Sequence, residues 1–142
     1  MGIAEKWRGL RPLPNNIRER LGLLATLFEE ADVLLAYVFG SFLHNEAFAD
    51  IDLAVLPGHR GLEDLREKIC EILSTQRVDL VNLKTASPIL RFEVLSTGSL
   101  IFKKDEPVEN SFELSAIREY RDTAHLRKSQ ARMLEQRQKR WS

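Results

Sequence analysis

Two short apolar runs set close together constrain this chain more than any other feature. Val33–Phe39 (VLLAYVF) is continuous and too short for a helix, which fits a buried strand. Asp50–Leu56 (DIDLAVL) is stopped by Pro57-Gly58 and reads as a second strand. Only the ten residues Gly40–Ala49 lie between them. A parallel crossover needs about a dozen residues or more, usually including a helix. The two strands are therefore expected to be antiparallel neighbours, which makes the sheet mixed and disfavours a doubly wound fold.

Periodicity supplies the other elements. Asn15–Glu30 repeats Ile17, Leu21, Leu24 and Phe28 along one helical face, behind the start signals Pro14 and Asn15-Asn16. Gly61–Ser74 does the same with Leu62, Leu65, Ile69 and Ile72. Arg77–Leu83 (RVDLVNL) reads as a third strand. Ser87–Thr97 reads as a short helix opened by Ser87-Pro88 and stopped by Gly98. Leu100–Lys103 is a short fourth strand. From about Asn110 the chain is helical, with an apolar seam of Ile117, Tyr120, Ala124, Ala131 and Leu134 that Arg127 and Lys128 interrupt. The expected fold is α+β: a mixed, mostly antiparallel sheet of about four strands flanked by helices, with a long C-terminal helix. Its 142 residues suit a single domain over 1–142, with a core at about 17–125 and a basic helical tail at about 118–142.

Composition removes several classes of function. No stretch approaches the roughly 18 apolar residues of a membrane span, and the N-terminus lacks an apolar run of signal-peptide length. The single cysteine, Cys70, excludes a disulfide within the chain and a thiolate metal site. It is expected to be a small core residue in a protein of the reducing cytoplasm. The net charge is zero, yet residues 118–142 hold eight basic and three acidic side chains, so the body is acidic and the tail basic. Such a tail suits an acidic partner, a nucleic acid or the chain's own body, and a solvated basic helix is the plainer reading.

Three features carry chemistry. Gly40-Ser41 ends a buried strand, where a sharp turn can present backbone N–H groups and a hydroxyl to a phosphate. Asp50 and Asp52 project from one face of the next strand, while Ile51, Leu53 and Val55 project from the other. Two carboxylates so placed repel each other by about 4 kcal/mol at 4 Å in an effective dielectric of 20, a cost that a hard cation between them removes. Asp79 interrupts the apolar third strand and shares its face with Val81 and Leu83. Pairing of the second and third strands would gather all three carboxylates near the Gly-Ser turn. A phosphate cradle beside metal-binding carboxylates is equipment for nucleotidyl transfer.

The stretch YVFGSFLHNEAFADIDLAVLP, followed by RVDLVNL, resembles the core of the minimal nucleotidyltransferases, a compact branch of the polymerase-beta-like superfamily. The later ASPILRFEVLSTGSLIFKKD resembles the region after the third strand in that branch, so the likeness spans about residues 17–125. Members are commonly the antitoxin of a pair whose toxin is an all-helical HEPN ribonuclease, which they silence by moving AMP from ATP to a tyrosine. The resemblance implies that Gly40 and Ser41 hold the nucleotide's terminal phosphates and that Asp50 and Asp52 bind two Mg²⁺ ions. Asp79 would complete one metal site and help deprotonate the attacking hydroxyl. It further implies a HEPN partner; no membrane and no direct nucleic-acid binding are expected, and the incomplete apolar seam of the C-terminal helix suits homo-oligomer or toxin contacts as well as packing on the body. The chain departs from the pattern in its loop, where Phe42–Ala49 is eight residues rather than about ten. Phe42, Leu43, His44 and Asn45 also stand where small and arginine residues are common. An antitoxin that acts by binding alone, and an adenylyltransferase for a small molecule, are the rival readings.

Weaker signals complete the reading. Arg118 and His125 have the spacing of HEPN ribonucleases, but the strand-rich front half does not suit an all-helical toxin. His44 is a loop residue that can reach a phosphate. Arg91 reaches the site only if the Pro88 turn packs near it. Trp7 and Trp141 are expected to serve in packing or partner contacts.

Overall fold

The computed structural model describes residues 16–40 and 50–141. The elements run α1 (Ile17–Gly22), α2 (Leu24–Glu30), β1 (Val33–Phe39), β2 (Ile51–Pro57), α3 (Leu65–Leu73), β3 (Val78–Asn82), α4 (Pro88–Thr97), β4 (Ser99–Lys103) and α5 (Glu106–Trp141). The sheet order is β3-β2-β1-β4. β1 is antiparallel to both β2 and β4, whereas β2 and β3 are parallel and joined through α3. This is the mixed, mostly antiparallel α+β sheet that the short β1–β2 connection demands.

Helices cover both faces, and strand alternation sorts the side chains between them. Ala36, Val38, Ile51, Leu53, Val55 and Val78 pack with Leu24 and Phe28 of α2 and Ile69 and Leu73 of α3. Leu35, Tyr37, Ala54 and Leu83 pack on the other side with Val94 of α4 and Phe112 and Ala116 of α5. Cys70 is a buried free thiol in the first cluster, and burial pushes its pKa up, as suits a core residue rather than a nucleophile.

Three local differences from the sequence reading, and one agreement, have physical causes. The first helix is broken into α1 and α2 at Leu23, whose N–H bonds back only three residues to the Arg20 carbonyl, next to the poor helix former Gly22. α3 begins at Leu65 rather than near Gly61, after Asp64 adopts a left-handed conformation. Gly98 stops α4, as the sequence reading expects, and does so in extended backbone. It is glycine because a Cβ there would lie 2.5 Å from the Val94 carbonyl oxygen. α5 starts four residues before Asn110, because Asp105 accepts the Val108 N–H at 2.9 Å and Pro107 suits the first turn.

α5 spans 36 residues, about 54 Å at 1.5 Å per residue. Its seam is buried or half-buried at Ala116, Ile117, Tyr120 and Ala124. Ala131 and Leu134, assigned to the same seam, are exposed, as are Leu126 and Met133. No helix among the described residues is long and apolar enough to cross a membrane.

Candidate active site

β1, β2 and β3 bring their chemistry to one end of the sheet. Phe39 is the register partner of Asp52, and Asp52 is the register partner of Asp79. Adjacent strands are about 4.8 Å apart, so the Asp52 and Asp79 carboxylates occupy one row on one face. That face is the side covered by α4 and α5, since Ala54 and Val81, two residues on, belong to the second core cluster. Gly40 follows Phe39 with φ of 79°, a left-handed conformation that suits glycine. A Cβ built there would collide with Asp52 Oδ2, so the carboxylate packs directly on the Gly40 backbone. Glycine is thus required twice, by the turn and by the close approach.

Asp50 is placed differently. It precedes β2, is 5% exposed, and its Oδ1 lies 3.7 Å from the guanidinium of Arg77, itself 7% exposed. Among the described residues, Asp50 Oδ1 has no hydrogen-bond partner. The structure therefore brings Asp52 and Asp79 together and sets Asp50 against Arg77. Among the described residues, no three His, Cys, Asp or Glu side chains gather closely enough to cage a metal. Two carboxylates nonetheless fit Mg²⁺, which commonly takes one or two protein carboxylates and completes its shell with water and substrate phosphates. The buried Asp50 Oδ1, without a hydrogen-bond partner among the described residues, places a further hard oxygen at the same sheet end.

Ser41, His44, the eight-residue loop and Trp7 lie outside the described residues, as does the side chain of Trp141. Arg91 does not serve this end of the sheet. Its guanidinium donates to the carbonyls of Leu83 (2.7 Å) and Lys84 (2.6 Å) and to Glu119 (2.8 Å), beyond the far end of β3. A cleft of about 480 Å³, lined by Leu34, Leu56, Leu83, Arg91 and Phe112, also lies at that far end. Arg118 and His125 are exposed on α5 of a mixed α+β fold, so their spacing carries no ribonuclease site. Sequence reasoning missed Arg77, taking it only as the start of a strand, although an arginine opening an apolar strand two residues before Asp79 was a usable signal.

The family model described as "Polymerase beta, Nucleotidyltransferase" matches residues 23–107, which include Gly40, Asp50, Asp52 and Asp79. The chain belongs to the polymerase beta nucleotidyltransferase family. No curated protein sequence matches it. Solved structures agree with the family's fold. A chain of the Shewanella oneidensis complex of tri-AMPylated HEPN toxin with MNT antitoxin is 24% identical, with a TM-score of 0.64 over 84% of this chain and 97% of that one. A chain of a toxin–antitoxin structure with AMP-PNP is 25% identical, with a TM-score of 0.63 over 82% and 96%. A chain of the toxin–antitoxin MntA–HepT is 23% identical, with a TM-score of 0.60 over 84% and 97%. This nucleotidyltransferase thus spans nearly the whole of each chain it resembles.

Proposed function

We propose that this nucleotidyltransferase is the antitoxin of a HEPN pair and transfers AMP from ATP to a tyrosine of its toxin, in the cytoplasm and with Mg²⁺. The adjacency of Asp52 and Asp79 beneath the left-handed Gly40 carries the reading. The similarity to structures of a tri-AMPylated HEPN toxin with MNT antitoxin and of a toxin–antitoxin with AMP-PNP supports the acceptor and the nucleotide.

In this reading Gly40, with Ser41 after it, cradles the terminal phosphates. Asp50, Asp52 and Asp79 are the residues that would hold two divalent ions. Bound there, such ions supply charge neutralisation at the α-phosphate and at the entering and leaving oxygens. Asp79 accepts the tyrosine proton as the new bond from the phenolic oxygen to the α-phosphorus forms. The bond from that phosphorus to the bridging oxygen breaks, and pyrophosphate leaves. The projecting end of α5, with exposed Leu126, Met133 and Leu134 among basic residues, suits contact with an acidic, apolar-faced surface of the toxin.

The test is the intact mass of a HEPN protein encoded beside this chain, after incubation with ATP and Mg²⁺. We expect a gain of one or more AMP units that is absent with Asp52→Asn. An unmodified toxin in a stable complex would overturn the transfer and leave an antitoxin that acts by binding. Nucleotide transfer to a small molecule without any partner would replace the toxin as acceptor.

A further inference from the structure

The buried pair Asp50–Arg77 goes beyond the reading above. The two residues are locked side by side by the backbone, since the Ile51 N–H donates to the Arg77 carbonyl at 2.9 Å. Both side chains are withdrawn from water, and a charge buried without compensation is strongly destabilising. Several arginines of this fold act as structural clamps. Arg20 donates to the Ile72 carbonyl at 3.1 Å, Arg66 to the Val78 carbonyl at 3.0 Å and Arg91 to the Leu83 carbonyl at 2.7 Å. Towards Asp50, Arg77 stands 3.7 Å off, within reach of Coulomb attraction but longer than a hydrogen bond. The facing Oδ1 is buried and, among the described residues, accepts no hydrogen bond. A carboxylate so held has its charge balanced while, among the described residues, the lone pairs of Oδ1 remain available to another ligand.

We infer that Arg77 is the positioning residue and resting counter-ion of Asp50, and that a divalent cation competes with its guanidinium for that carboxylate. The inference rests on the metal-dependent reading of the site. Arg77 keeps Asp50 folded inward at the carboxylate end before nucleotide arrives. Loading the site then exchanges one positive partner for another, without leaving Asp50 buried and uncompensated at any stage. Arg77 thereby stabilises the empty enzyme and weakens its hold on metal.

Melting temperatures of the full chain test both halves. In EDTA, Arg77→Met and Asp50→Asn should each lower the melting temperature by several degrees. The double variant should lose clearly less than the sum of the two. Titration with Mn²⁺ in the presence of a non-hydrolysable ATP analogue should raise the melting temperature of Arg77→Met more than that of wild type. The half-maximal Mn²⁺ concentration should be several-fold lower, and Arg77→Lys should return it towards wild type. If Arg77→Met does not fold, Arg77→Lys combined with Asp50→Asn reads the same coupling. Additive losses in EDTA would overturn the ion pair, and an unchanged Mn²⁺ midpoint would overturn the competition. Absence of any Mn²⁺ effect on wild type would sink the metal reading and the competition with it, while the EDTA cycle would still decide the ion pair.

Discussion

Tyr37 lies between the sheet and α5, its ring tilted against Phe112 at 6.0 Å, and its hydroxyl is buried without a hydrogen-bond partner among the described residues. Burial first, and then the carboxylates of Glu113 and Glu109, push its pKa up to about 12 from 10.0. The folded state therefore keeps the phenolic proton in a range where the unfolded state loses it. The stabilisation is complete below pH 10 and is lost as the pH rises towards 12. Tyr37→Phe should remove this alkaline sensitivity and raise stability at neutral pH by about 1 kcal/mol, because the unsatisfied hydroxyl is gone. Urea unfolding at pH 8 and pH 11 measures both effects. At the other residue that sets local chemistry, Gly40→Ala forces a side chain into left-handed backbone and against the Asp52 carboxylate. Nucleotide transfer should fall at least tenfold, alongside a stability loss of about 1–3 kcal/mol.

Among the elements, α4 shows how local rules and long-range contacts divide the work. Its start is written locally: Ser87 accepts the Leu90 N–H at 3.2 Å and Pro88 fills the first turn. Ser87→Ala should cost about 1 kcal/mol, read as a drop in melting temperature. Its position is fixed at longer range, where Arg91 ties α4 to the end of β3 and to Glu119 of α5, and Phe92 stacks on Tyr120 at 4.0 Å. Arg127 lies over the same Tyr120 ring at 4.1 Å and continues the stack. Arg91→Met should destabilise the protein by about 1–3 kcal/mol by leaving carbonyls and a carboxylate without their donor. Transfer by the folded fraction should keep its wild-type rate, because Arg91 lies away from the carboxylate row.

For the molecule as a whole, the acidic body and basic helix end are physically separate. Residues 131–139 are exposed throughout, so little of the fold's stability resides there. Deleting residues 131–142 should leave the melting temperature within about 1 °C, given that residues 131–139 are exposed throughout. The same deletion should weaken the complex with the HEPN toxin. Raising NaCl from about 50 to 500 mM should weaken the wild-type complex more than the truncated one, since charges beyond about one Debye length are screened. Comparison of complex affinities at the two salt concentrations checks this.

Most of the fold was legible in the sequence because it follows from short-range rules, and Asp50, Asp52 and Asp79 were named there from strand alternation and the family resemblance. The ten-residue connection dictates the antiparallel β1–β2 pair. Alternation puts Asp52 opposite in face to Leu53 and Val55, and the resemblance of FGSF, DIDLAVL and RVDLVNL points to the family. Tertiary structure decided what depends on partners distant along the chain. The parallel β2–β3 register sets Asp52 beside Asp79, and a burial that no periodicity announces draws Asp50 to Arg77. Arg91 is held away from the site by the carbonyls of Leu83 and Lys84, just past the far end of β3, and by Glu119 of α5, 28 residues further along the chain. The seam of α5 reads the same at Ile117 and at Leu134, but the body ends between them. Whether an apolar face is covered depends on what lies opposite, and a single chain segment does not encode that.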